Sequence, residues 1–191
     1  MLDRQETEQK LGAVIRYLRQ LDVTVSQSND DTVAIARLRD QHIVINIRNR
    51  DLLSCIFTIA HLFGHLVQFL DSDKYAHLTK RVEAPKPMAV DEEFRTAFYE
   101  YEVEAFRLGK GLMMSCFEVS REIDSKYTLF LETDFAHFWH FITTGEKDDL
   151  STFNQMLVEA YGQWRGNRRF LTPLPHPRVI RLHRSALSDV V

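Results

Sequence analysis

Cysteine is nearly absent: the 191 residues contain only Cys55 and Cys116. This excludes a disulfide framework and makes a reducing cytoplasm the expected setting. Glycine and proline are also scarce, at 7 and 5 residues, while phenylalanine occurs 13 times, which excludes extensive disorder. Charge of one sign is lacking too. The net charge of −3 gives the chain no global attraction for nucleic acid or anionic membrane. The first ten residues, MLDRQETEQK, have no apolar core and no cleavage site, so they do not read as a signal peptide. No internal repeat or low-complexity tract occurs. What remains is an ordinary globular composition, 45% hydrophobic and 27% charged, long enough for one domain with a real core.

One long hydrophobic run needs an explanation. From Leu52 to Leu70 no charged residue occurs, and Asp51 and Asp71 bracket the run. Its length is close to the roughly 20 residues of a membrane-spanning helix. It also contains Ser54, Thr58, His61, Gly64, His65 and Gln68. Two histidines near a bilayer centre are costly, so the run reads as the buried central helix of a soluble domain, with no membrane partner.

Periodicity places the other elements. Leu11, Val14, Ile15, Leu18 and Leu21 recur at spacings of three and four and predict a helix over residues 4–21. Asp22–Ser26, Thr32–Leu38 and His42–Ile47 read as strands joined by short polar breaks, which predicts a small antiparallel three-stranded sheet. The central helix runs from about Asp51, a plausible N-cap, to Leu70. The polar, proline-containing segment Asp71–Val90 reads as a long connection over a site. A second long helix is expected over Asp91–Met114, with Phe94, Phe98, Tyr101, Ala105, Leu108 and Leu112 as its apolar stripe. Glu118–Ser125, Asp134–Ile142 and Leu150–Trp164 read as three further helices. After Gly166, Pro173, Pro175 and Pro177 predict an extended tail.

The chemistry concentrates in His61-Leu62-Phe63-Gly64-His65. Two histidines four apart on a helix point the same way, with Cβ atoms roughly 5–6 Å apart. Both imidazoles can then reach one zinc ion at about 2.0–2.1 Å. Histidines hydrogen-bonded to neighbours would have the same spacing. The apolar surroundings favour a metal, because a buried imidazole needs a compensating bond.

Ile45-Asn46 followed by Phe57-Thr58-Ile59-Ala60-His61-Leu62-Phe63-Gly64-His65 resembles the ImmA/IrrE family of metallopeptidase-like proteins. Glu102-Val103-Glu104-Ala105-Phe106 resembles that family's downstream glutamate-bearing helix. The similarity covers roughly residues 10–115. It implies an α+β, zincin-like domain over residues 1–115; beyond it no resemblance holds, and the residue pattern alone gives a helical extension over 116–165 and a Pro/Arg-rich tail over 166–191. The resemblance also implies Zn²⁺ as the cofactor, with His61, His65 and Glu102 as its ligands. A helical wheel permits Glu102 without demanding it, since Glu102 and Glu104 lie on opposite shoulders of the apolar stripe. Glu104 is the alternative ligand, or a partner for a ligating histidine. Gly109 falls on the Glu102 side, where another backbone can approach closely.

The departure from the family pattern is Leu62. Where it stands, the family has the glutamate that moves the proton in peptide hydrolysis. General acid–base catalysis is typically worth about 10²–10⁴-fold, and leucine cannot supply it. The leading expectation is therefore a catalytically impaired pseudo-metallopeptidase with a binding or regulatory role in a bacterial or phage setting. Its partner would be a protein or peptide in the cleft. A second reading is an active zinc metalloendopeptidase that cleaves a partner such as a repressor, with a relocated base: Glu104, Glu100, His77, His137 or His140. A third is a metal-free protein-interaction module.

Other signals are weaker. His137 and His140 sit among Phe135, Phe138, Trp139 and Phe141, so aromatic core packing is the expected role of that segment. Arg165, Arg168, Arg169, Arg178, Arg181 and Arg184 make a basic tail, the only place where nucleic acid phosphates would find a match. Cys55 lies off the His61 face and Cys116 reads as a packed apolar residue, so neither is expected as a ligand.

Overall fold

The computed structural model describes residues 3–29, 34–48, 51–70, 75, 77, 78, 81 and 85–146. Among these are four long helices and one three-stranded sheet: α1 (Arg4–Gln20), β1 (Thr24–Gln27), β2 (Ala34–Arg37), β3 (His42–Ile45), α2 (Leu52–Leu70), α3 (Glu92–Cys116) and α4 (Arg121–Thr144). The α+β class expected from the sequence is the class observed. The expected helix over Leu150–Trp164 and the basic tail lie outside the described residues, as does half of the connection after Leu70.

Helix α1 forms as its periodicity predicts. Leu11, Val14 and Leu18 are buried on one face. Asp22 takes a left-handed conformation (φ 60°) just past the helix, and the Val23 amide donates to the Leu18 carbonyl at 3.0 Å. This closes the helix and turns the chain into β1.

The sheet departs from expectation. Strand order is β1-β3-β2; β2 pairs antiparallel with β3, but β1 pairs parallel with it. The sheet is therefore mixed rather than antiparallel. The short turn after Arg37 makes a true hairpin of β2 and β3. The polar break after β1 does not make another. Burial accounts for the order. Ile43 and Ile45 are almost wholly buried and put β3 in the centre, with β1 and β2 as its two edges. Val25, Ala34 and Ala36 share the inner face with these isoleucines.

Helix α2 starts where Asp51 accepts a hydrogen bond from the Ser54 amide at 2.9 Å, the N-cap role anticipated for it. By length and composition it could cross a membrane, yet 61% of its most apolar window is buried inside the fold. That is how a central helix passes the same test. Helix α3 is capped in the same way, with Asp91 accepting from the Phe94 amide at 2.7 Å. Most of its expected stripe is observed: Phe94, Phe98, Tyr101, Ala105 and Leu112 are buried, while Leu108 is only half-buried.

Two small residues let α2 and α3 pack backbone to backbone. A β-carbon on Gly64 would collide with the Ala105 carbonyl, and one on Gly109 with the Ala60 carbonyl. Gly109 thus does what its position suggested.

Helix α4 corrects a second expectation. Residues 121–144 form one continuous helix, not two short ones. Ile123, Tyr127, Phe130 and Leu131 recur at spacings of three and four through the stretch between the two expected pieces, and all four are buried. Ser120 caps the start by accepting from the Ile123 amide, and Gly145 ends the helix in the left-handed region (φ 77°).

Two apolar clusters result. One joins α1, the sheet, α2 and the facing parts of α3 and α4. The other holds Phe94, Phe98, Tyr101 and Ile142 against Phe135, Phe138 and Trp139. The segment around His137 and His140 therefore packs as an aromatic core segment, as expected. Along α3, Glu102 falls between Tyr101 of the second cluster and Phe106 of the first. Along α4, Asp134 falls between Leu131 and Phe135 in the same way. The polar residues of the next section lie at this seam.

Candidate metal centre

His61 and His65 lie one turn apart on α2, and their Nε2 atoms are 3.1 Å from each other. Glu102 enters from α3. Its Oε2 is 3.3 Å from His61 Nε2 and 3.4 Å from His65 Nε2. The potential ligand atoms of these three residues form one mutually close group, and the group can hold a metal ion. Both His61 and Glu102 are buried.

The surroundings orient the rings. Gln68, one turn beyond His65, is buried and its Nε2 donates to the Tyr101 carbonyl on α3 at 2.8 Å. That contact turns the Gln68 carbonyl oxygen toward His65 Nδ1, 2.9 Å away. His65 Nδ1 must then be the protonated nitrogen, which leaves the lone pair of neutral His65 on Nε2, facing Glu102. The His61 ring lies against Phe106, with centroids 4.2 Å apart, and that of His65 against Tyr101 at 4.9 Å. His61 Nδ1 is buried and has no hydrogen-bond partner among the described residues.

A fourth group stands beside these three. Asp134 Oδ2, from α4, is 3.4 Å from His61 Nε2. Sequence patterns do not single it out, because an acid ahead of Phe135 reads as the start of a short aromatic helix. The available signal was its spacing: it lies three residues after Leu131, four after Phe130 and seven after Tyr127, on the buried face of α4.

Electrostatics mark the cluster as strained by charge. Burial, helped by nearby His65, holds the His61 pKa well below its ordinary value, so this imidazole is neutral at pH 7. At His65 burial pulls the pKa down. The Glu102 carboxylate, its hydrogen bond, the Gln68 carbonyl and Asp134 together outweigh that, and the net shift is upward. Asp134 is pushed up to about 7, first by burial and then by the Glu102 charge, with His65 acting in the opposite sense. Among the described residues, neither carboxylate has a lysine or arginine within ion-pair distance. A divalent cation would supply the missing positive charge. The donor set of two imidazole nitrogens and carboxylate oxygen suits zinc or another first-row metal.

Leu62 is half-buried and packs against the first apolar cluster. It brings no proton acceptor. The candidate substitute bases do not join the group either. Glu100, His77 and His140 are exposed, Glu104 and His137 are half-buried, and none of them belongs to the His61–His65–Glu102 cluster. Cys55 is buried, and it too stands outside the cluster.

Comparison with known proteins found no family model, no curated protein and no solved structure that matches this chain.

Proposed function

We propose that this is a zinc-binding, metallopeptidase-like protein whose centre serves binding or regulation and has lost the ordinary route to peptide hydrolysis. The observation that carries the proposal is the convergence of His61, His65 and Glu102 at 3.1–3.4 Å. Three residues from two helices, with Gln68 fixing one tautomer, resemble a preorganised ligand set more closely than they do a set of partnered core histidines. The likeness to the ImmA/IrrE pattern supports zinc as the ion and a protein or peptide segment as the partner. Leu62 supports the loss of hydrolysis, since the position that normally moves the proton holds an aliphatic side chain. The low cysteine count, 2 in 191 residues, supports a cytoplasmic setting.

Bound zinc would act as a charge and a Lewis acid at this seam. The chain's own residues do the rest. His61, His65 and Glu102 would hold the ion, Gln68 orients His65, and Phe106 and Tyr101 pack against the two imidazole rings.

Metal analysis of purified wild-type protein beside His61→Ala tests the proposal. Wild type should carry about one zinc per chain after exposure to the metal and dialysis, and His61→Ala much less. Equal, near-zero content in both would leave the metal-free interaction module as the surviving reading.

A further inference from the structure

Helix α4 carries an acid where its pattern calls for an apolar residue. Tyr127, Phe130 and Leu131 bury the same face that Asp134 occupies. Asp124, one of the other acids on this helix, is half-buried and has the Lys110 ammonium 2.6 Å away. Asp134 has no such cation among the described residues. Among the described residues, its one ion-pair contact is His61 Nε2 at 3.4 Å. The Asp134 side chain is largely covered, at 27% exposure, and a carboxylate drawn from water without a cation beside it is unfavourable, so the placement calls for a reason.

Distance supplies one. A tetrahedral ion with bonds of about 2.0–2.1 Å has its ligand atoms about 3.3–3.4 Å apart. The three separations within the His61, His65 and Glu102 group, 3.1, 3.3 and 3.4 Å, cluster around that edge length. The separation of His61 Nε2 from Asp134 Oδ2 matches it as well. Asp134 stands at the rim of the group, close to His61, rather than within the mutually close trio. To join the trio its carboxylate would have to turn inward from that rim position.

We propose that Asp134 is the fourth protein ligand, so that the centre is a closed site holding the ion between α2, α3 and α4. This rests on the metal-binding reading above and deepens it. Two neutral imidazoles and two carboxylates balance one divalent cation. Structural zinc sites take four protein ligands, whereas catalytic ones keep a position for water. A closed sphere has no such position. Position 62, where a base would act on that water, correspondingly holds leucine. The ion then fastens α4, the start of the helical extension, to the helix pair that carries the histidines.

The test uses the full chain loaded with cobalt(II), whose ligand-field absorption reports coordination, together with a zinc competition titration. Wild type should give the strong visible bands of a four-coordinate ion, unchanged by added azide. Asp134→Ala should open a position, so that azide shifts its spectrum, and should lower zinc affinity by about 10–100-fold. Asp134→Asn, closer in shape, is measured beside it and should behave like the alanine variant; circular dichroism checks that both fold. If azide shifts the wild-type spectrum as it does the variants' spectra, with zinc affinity equal in all three, the fourth-ligand assignment is overturned and the three-ligand site stands. If wild type takes up neither cobalt nor zinc, the metal-binding reading itself fails.

Discussion

Gly64 of α2 lies directly against the Ala105 carbonyl of α3, so close that a single β-carbon would overlap the peptide group. The same contact is made in reverse by Gly109 of α3 and Ala60 of α2. Because His65 follows Gly64, and Glu102 lies one turn before Ala105, this approach sets how near the carboxylate comes to the imidazoles. Neither carbonyl can move away without disturbing its own helix.

Gly64→Ala should therefore destabilise the fold by about 1–3 kcal/mol, the usual range for overpacking, and weaken metal binding by widening the gap to Glu102. Denaturant unfolding and zinc competition measure the two effects. Gly12→Ala is the control. There the added carbon meets only the mobile guanidinium end of Arg16, 3.2 Å away. Replacing a mid-helix glycine should stabilise by up to about 1 kcal/mol. Equal effects at both sites would show that the α2–α3 approach is not what constrains Gly64.

Gln68 links the candidate metal centre to the α3 backbone through His65 and the Tyr101 carbonyl. Gln68→Leu keeps most of the volume but removes both hydrogen bonds. Zinc affinity should fall about 10–100-fold, as for other groups that orient a ligating histidine. Gln68→Glu keeps the acceptor for His65 and should lose less. A titration in which Gln68→Leu binds zinc like wild type would remove Gln68 from the orienting role.

Much of this was legible in the sequence, for local reasons. The i, i+4 histidines, the charge-free run and the stripe Phe94, Phe98, Tyr101, Ala105 are patterns within a single helix, and the helices form where those patterns lie. Glu102 was legible only through family resemblance, because a helical wheel leaves Glu102 and Glu104 as alternatives. Asp134 was missed because an acid ahead of Phe135 reads as a helix start. Only the continuous face through Tyr127, Phe130 and Leu131 shows it to be internal. The parallel pairing of β1 with β3 was not legible at all. Strand order depends on which strand the core buries most deeply, and Ile43 and Ile45 decide that through contacts distant in sequence.

Lys110 and Asp124 form a largely buried ion pair between α3 and α4 at 2.6 Å. Removing one partner leaves an uncompensated charge, so Lys110→Ala should destabilise by about 3 kcal/mol, and a paired apolar replacement by far less. Urea unfolding of Lys110→Ala, Asp124→Ala and Lys110→Met with Asp124→Leu resolves this. Near-additive losses in a double-mutant cycle on the two alanine changes would mean that the pair contributes little.

Burial pushes the Cys116 thiol up to about 11. The thiolate is the reactive form, so alkylation at pH 7.5 should be slow and should rise about tenfold per pH unit until the pH approaches that value. Iodoacetamide labelling read by mass spectrometry gives the profile. Cys55, fully buried, should label only on unfolding. Rapid labelling of Cys116 at neutral pH would contradict the buried environment at the end of α3.

Anomalous diffraction at the zinc absorption edge, from crystals of the zinc-loaded protein, tests the central claim most directly. The account predicts a single strong peak about 2.0–2.1 Å from His61 Nε2, His65 Nε2 and a Glu102 oxygen. A map from zinc-saturated crystals with no peak between those residues, or with one only at a surface site, would contradict it.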